Sequence, residues 1–166
     1  ILENCPDTSN PMVFYYGCFF SLLKGEKEKA RELGARAESL TGEGCFPNDL
    51  QEIRILTECI GFLREAPMAE YYLGNLLYDK KQYKKAAEYW EKAVEKKPGL
   101  AAAYRNLAIY FLNKEGDFEK AMKAMETACN LDPSYPRFWL ERDQLAAKTG
   151  EMPQKRLEFL EQHKEL

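Results

Sequence analysis

The side chains able to do chemistry are few and poorly spaced for it. The single histidine, His163, lies in the last turn of the chain beside Lys164 and Glu165. A Cys–His or Ser–His nucleophile needs a base held against it by surrounding structure, so a terminal histidine reads as a solvated or helix-end residue. The five cysteines, Cys5, Cys18, Cys45, Cys59 and Cys129, form no CxxC pair, which argues against both a disulfide framework and a zinc site. Cys18, Cys59 and Cys129 fall among apolar residues at helical spacing, where a thiol acts as a small hydrophobe and fits a reducing compartment. Glu141 and Asp143 are two residues apart and point to different sides of a helix. No GxxxxGK[ST] or GxGxxG phosphate loop is present,. The expectation is a chain with no catalytic residue, no metal and no cofactor, and hence not an enzyme.

Binding is the better question, and the stretch YYLGNLLYDKKQYKKA from Tyr71 poses it. The chain has 166 residues, 45% hydrophobic and 31% charged, enough for one compact domain or a short repeat array. Its 24 basic and 27 acidic residues give a net charge of -3 without a basic stripe, so nucleic acid is not an expected partner. No apolar run reaches the roughly 20 residues of a membrane span, and a membrane is likewise not expected. KGEKEKARE and YDKKQYKK read as solvated charge runs. The start at Ile1 suggests a piece of a longer protein, with a cytoplasmic setting the expectation.

Internal periodicity organises the rest. Gly74 recurs as Ala108 after 34 residues, and Ala86, Trp90, Ala93 and Pro98 recur as Ala121, Met125, Ala128 and Pro133 after 35. One extra residue in the turn NKEGD, against DKKQ, explains the difference. Small residues at Gly74, Ala108, Ala86 and Ala121 let two helices cross closely. Leu73, Leu77, Trp90, Leu107, Phe111 and Met125 bury the seam, Tyr83 and Phe118 plug the turns, and Pro98 and Pro133 stop the second helices. This pattern resembles the tetratricopeptide repeat, a helix–turn–helix unit of about 34 residues. The fold expected is all-α, a right-handed superhelix of antiparallel helix pairs with an irregular helical insertion.

The division expected is a 1–10 extension, a degenerate helix pair at 11–40, a loop with an irregular helix at 41–66, repeats at 67–100 and 101–135, and a degenerate or capping repeat at 136–166. Asp49 followed by Glu52 predicts a capping box on the irregular helix. In the last repeat Asp143 stands where a small residue is expected, and Lys155 replaces the second-helix alanine. The run from CFPND through AEYYLGNLLYDKKQYKKAAEYWEKAVEKKP and YRNLAIYFLNKEGDFEKA to LERDQLAAKTG is also similar to the C-terminal helical region of a bacterial family, domain of unknown function 5107. That resemblance implies a piece of a large bacterial protein with a β-rich, sugar-related N-terminal part, and it brings no catalytic motif to these residues.

In arrays of this kind the first helices line a recognition groove. By repeat position the groove presents Tyr71, Asn75 and Tyr78, then Arg105, Asn106, Ile109 and Leu112, then Arg137, Leu140, Glu141 and Gln144. Such a surface suits an extended or helical peptide. Asn75, Asn106 and Arg137 also resemble positions of the tetratricopeptide domains that clamp a C-terminal carboxylate, while Tyr71 and Glu141 depart from them. On the aromatic first helix, Tyr15, Tyr16, Phe19 and Leu22 fall on or near the open side and are candidates for contact with a neighbouring domain. The function expected is a non-catalytic protein or peptide interaction scaffold, with weak self-association possible through exposed ends. The alternative is an accessory helical domain supporting a carbohydrate-active domain in the same polypeptide.

Overall fold

Helix starts are set by short polar and proline signals. The computed structural model describes residues 9–41 and 44–163, so Cys5, Lys164, Glu165 and most of the predicted extension lie outside the described residues. Helix α1 (Pro11–Leu23) begins where Asn10, in extended backbone, accepts from the Met12 N–H at 2.9 Å and Pro11 fills the first position,. Helices α4 (Pro67–Asp79), α8 (Pro136–Lys148) and α9 (Pro153–Gln162) also open on proline. Helix α3 (Leu50–Leu63) carries the predicted capping box: the Gln51 N–H donates to Asp49, and the Asp49 N–H donates to Glu52, both at 2.9 Å. The remaining helices are α2 (Lys27–Ser39), α5 (Tyr83–Lys96), α6 (Ala101–Tyr110) and α7 (Phe118–Leu131). Among the described residues there is no strand, and no helix is long and apolar enough to cross a membrane.

One turn recurs. The Glu26, Gln82 and Glu151 N–H groups reach back five residues to the carbonyls of Ser21, Leu77 and Ala146 at 2.8–3.0 Å. The residue before each donor, Gly25, Lys81 or Gly150, is left-handed, with φ 78°, 60° and 82°. This is the six-to-one closure that satisfies orphan carbonyls at a helix end. A fourth turn is one residue longer: the Asp117 N–H reaches Phe111 O at 3.0 Å, spanning a π-helical turn over Phe111–Glu115 and left-handed Gly116. The extra residue inferred from the 34-against-35 offset is absorbed there, as π insertions commonly are. The wider turn also leaves Phe118 45% exposed instead of plugging it, whereas Tyr83 packs edge-on against Tyr78 at 4.9 Å.

The chain divides at 96/97 into two units. In the first, α1 packs on α2, α4 on α5, and α3 on α1 and α4. Tyr15, Cys18, Leu56, Cys59, Tyr72, Leu73, Leu76 and Trp90 form its buried interior, each full-sized aliphatic contributing roughly 1.5–3 kcal/mol. Gly74 is obligatory by space: a Cβ there would lie 2.5 Å from the Trp90 indole and 3.1 Å from Ala86 O.

Two polar clasps join the helices of this unit. Ala66, at the head of α4, offers no capping side chain. Glu38 of α2 supplies the acceptors instead, taking the Met68 N–H at 2.8 Å, the Ala69 N–H at 3.0 Å and the Tyr15 hydroxyl at 2.6 Å. Burial, reinforced by the Glu38 charge, pushes the Tyr15 phenol far above its ordinary range, so it stays protonated and able to donate. In the second clasp, Lys96 Nζ donates to the buried Glu70 carboxylate at 2.7 Å and to Arg64 O at 2.8 Å. Arg64 closes α3 at φ 65°, ψ −51°, a γ-turn in which the Glu65 N–H reaches Leu63 O at 2.8 Å. Such a turn is strained, and the lysine ties its carbonyl to α5.

In the second unit α7 packs on both α6 and α8, and α8 on α9. Leu107, Ala108, Ala121, Met125, Ala128, Cys129 and Phe138 are its interior. The seam of α8 with α9 is polar where small residues were expected: Arg156 makes two hydrogen bonds to Asp143. Arg142, nearly buried, donates to Glu126 and Glu151 at 3.0 Å and lies 3.7 Å over the Phe159 ring. His163 sits at the α9 end against Trp139 and Phe159. Its Nδ1 is 2.7 Å from Phe159 O, a contact that requires the proton on Nδ1.

Candidate functional site

Each unit carries some of the residues that the sequence assigns to a ligand. In the first, Tyr71, Asn75 and Tyr78 are half-buried along α4. Asn75 Oδ1 accepts from the Trp90 indole N–H at 3.0 Å, so this asparagine helps hold the core tryptophan. Tyr78 lies between Tyr83 and Trp90, 5.4 Å from the latter, and Tyr71 leans on Tyr72 at 5.5 Å.

The second unit holds the more developed site. α8 runs Glu141, Gln144, Leu145, Lys148 at positions i, i+3, i+4 and i+7, which share one face,. α6 and the π turn contribute Ala108, Ile109, Leu112 and Asn113, and Met125 of α7 lies beneath. Together these residues line a slot of about 190 Å³. That is below the 300–1,000 Å³ of a small-molecule pocket, and suits one apolar side chain. Asn113, Glu141, Gln144 and Lys148 form a polar rim over an aliphatic floor.

One end of the slot is an ion network. Arg105 grips Glu141 with both edges of its fork, Nε to Oε2 and Nη2 to Oε1 at 2.6 Å each, the strongest geometry for this pair. Arg105 Nη1 also reaches Asn106 Oδ1 at 3.2 Å, and Arg137 Nε donates to Glu141 Oε1 at 2.8 Å. Burial alone would raise the Glu141 pKa, but hydrogen bonds from Arg105 and Arg137, with their charges, hold it below the ordinary carboxylate range.

The structure therefore brings Arg105, Asn106, Arg137 and Glu141 together, and sets Ile109, Leu112 and Gln144 beside them. Leu140 is 57% exposed and does not line the slot. Lys148, Asn113, Leu145 and Met125 were not among the sequence candidates, although Lys148 lies one and two turns beyond Gln144 and Glu141 on the same helical face. On α1, Tyr15 and Phe19 are buried. Tyr72 stands 6.2 Å from the Tyr15 ring, and the Arg54 guanidinium 5.6 Å above Phe19, because α3 and α4 cover that side. Tyr16 and Leu22 are half-buried, and the open apolar residues of α1 are Phe20 and Leu23. Among the described residues no cluster of three or more His, Cys, Asp or Glu is placed to hold a metal.

Comparison with known proteins agrees with the repeat pattern. The tetratricopeptide repeat family model matches residues 62–101 and 71–136. A solved structure of MamA, residues 41 to the end, from Desulfovibrio magneticus RS-1 is 21% identical, with a TM-score of 0.59 over 96% of this chain and 76% of that one. A second crystal structure of MamA is 17% identical, with a TM-score of 0.64 over 89% and 83% of the two chains. At such identities the likeness is one of fold. Residues 62–136 thus match the tetratricopeptide repeat, within an all-helical fold that this chain shares with the MamA structures.

Proposed function

We propose that the chain is a non-catalytic protein-interaction scaffold, a piece of a larger bacterial protein, that engages a peptide segment of its partner through the first helices of its repeats. The observation that carries this is the slot in the second unit, because four of the residues that line it, Ile109, Leu112, Glu141 and Gln144, fall on helix positions that repeat register assigns to ligand. Ile109, Leu112 and Leu145 receive an apolar side chain, and Gln144, Asn113 and Lys148 offer hydrogen bonds to the backbone around it. In the first unit, Tyr71 and Tyr78 offer aromatic surface of their own along α4. The helix pairs at 11–40 and 136–166 are degenerate repeats on this reading, supported by their use of the same turn. The thiols of Cys18, Cys45, Cys59 and Cys129 are free, which supports a reducing, cytoplasmic setting.

The test begins with peptides selected from a random library on the folded chain. Leu112→Asp weakens them at least tenfold in fluorescence anisotropy, about 1.4 kcal/mol, because a carboxylate is then forced into an aliphatic floor. Leu157→Asp, on exposed α9, leaves affinity unchanged. Equal loss in both variants, or in neither, removes the slot from the account.

A second reading follows from α1, where Phe20 is 54% and Leu23 63% exposed. Open apolar residues of this size suit contact with an adjoining domain. They support the alternative in which the helices brace a carbohydrate-active domain of the same polypeptide, as the domain of unknown function 5107 resemblance implies.

A further inference from the structure

We propose that Glu141 is an internal ligand that fills the anion seat at one end of the slot, so that the wild-type site selects an apolar side chain of an uncharged chain segment and refuses a carboxylate. This rests on the reading of the slot as a peptide site and names what that site admits. Arg105 commits Nε and Nη2 to Glu141 and Nη1 to Asn106, and Arg137 commits Nε to the same carboxylate. The Glu141 side chain is 17% exposed and the Arg137 side chain 61%, so an incoming carboxylate that seeks the Arg105 fork must expel a largely buried anion, and one that shares the open Arg137 meets the Glu141 charge beside it. Expulsion strands that anion without its partners, the costly half of breaking a buried pair. The floor formed by Ile109, Leu112 and Leu145 lies beside this network and accepts an apolar group without disturbing it. Glu141 thereby acts as a specificity determinant by occupation, a repulsive element placed against one class of ligand.

Removing the carboxylate frees the Arg105 fork and the Arg137 Nε that hold it, at the Glu141 end of the slot, and the variant gains a function. Two labelled pentapeptides ending in leucine are compared, one with a free C-terminal carboxylate and one amidated. The wild-type chain binds the two within threefold of each other. Glu141→Gln binds the free acid at least tenfold more tightly than the amide, and Glu141→Ala does the same if the glutamine still bridges the arginines. A wild-type preference of tenfold for the free acid, or variants that fail to discriminate, overturns the proposal. Inorganic phosphate reads the seat independently of any peptide. Its phosphorus resonance broadens with the folded variants and not with the wild type, while equal behaviour of all three also overturns it. If neither peptide binds any form yet phosphate distinguishes them, the slot reading fails and the occupied seat stands. Circular dichroism shows that each variant is folded.

Discussion

Lys96→Met lowers the free energy of unfolding by about 3–5 kcal/mol, the range for breaking a buried ion pair from one side. The Glu70 side chain is 3% exposed, and its hydrogen bond from the described residues comes from Lys96 at 2.7 Å. Its second oxygen already lacks a partner among the described residues, so loss of the lysine leaves a buried carboxylate without the hydrogen bond that holds it. The same substitution releases Arg64 O and with it the strained end of α3. Pairing Lys96→Met with Glu70→Gln removes the stranded charge and restores part of the loss. Urea denaturation measures both. A loss below 1 kcal/mol, the size of an exposed pair, contradicts this account of how α3 and α5 are joined.

Glu38→Ala is the second large effect, at about 2–4 kcal/mol. It deletes the acceptor for two N–H groups at the head of α4, worth about 0.5–2 kcal/mol by analogy with a lost cap. It also leaves the buried Tyr15 hydroxyl without an acceptor, a further cost of about 1–3 kcal/mol. Glu38→Gln keeps one acceptor oxygen and costs less. Tyr15→Phe removes donor and demand together and costs about 1 kcal/mol. The order Ala, Gln, then Tyr15→Phe, read from urea midpoints, distinguishes a shared clasp from three unrelated contacts; equal losses contradict it.

These contacts mark the boundary of what the sequence makes legible. Periodicity exposes the packing of Gly74 against Trp90 and of Ala108, Ala121 and Met125, because close helix crossings demand small and large residues at fixed intervals. The capping box at Asp49 was readable because both of its bonds are local. The extra residue near NKEGD was countable, but not its form as a π turn, since the register shift depends on where the helix tolerates expansion. Glu38, Lys96 and Arg105 were not legible as partners. Their mates across the helices lie 23–36 residues away, and a charged residue on a helix carries no mark of which neighbour it will meet. The candidate residues divide the same way. Repeat register brought Ile109, Leu112, Glu141 and Gln144 to one slot, whereas nothing in sequence order showed that Asn75 would be engaged by Trp90 or that Glu141 would be gripped by two arginines. On α1, the aromatic run did not reveal that α3 and α4 would cover Tyr15 and Phe19.

On the proposed reading, a peptide ligand meets the chain at the slot of the second unit. Amide chemical-shift mapping of the 166-residue chain with a library-selected peptide tests it most directly. The expected perturbations concentrate at residues 105–113 and 141–148. Perturbations centred instead on Phe20 and Leu23 of α1, with the slot amides unmoved, contradict it.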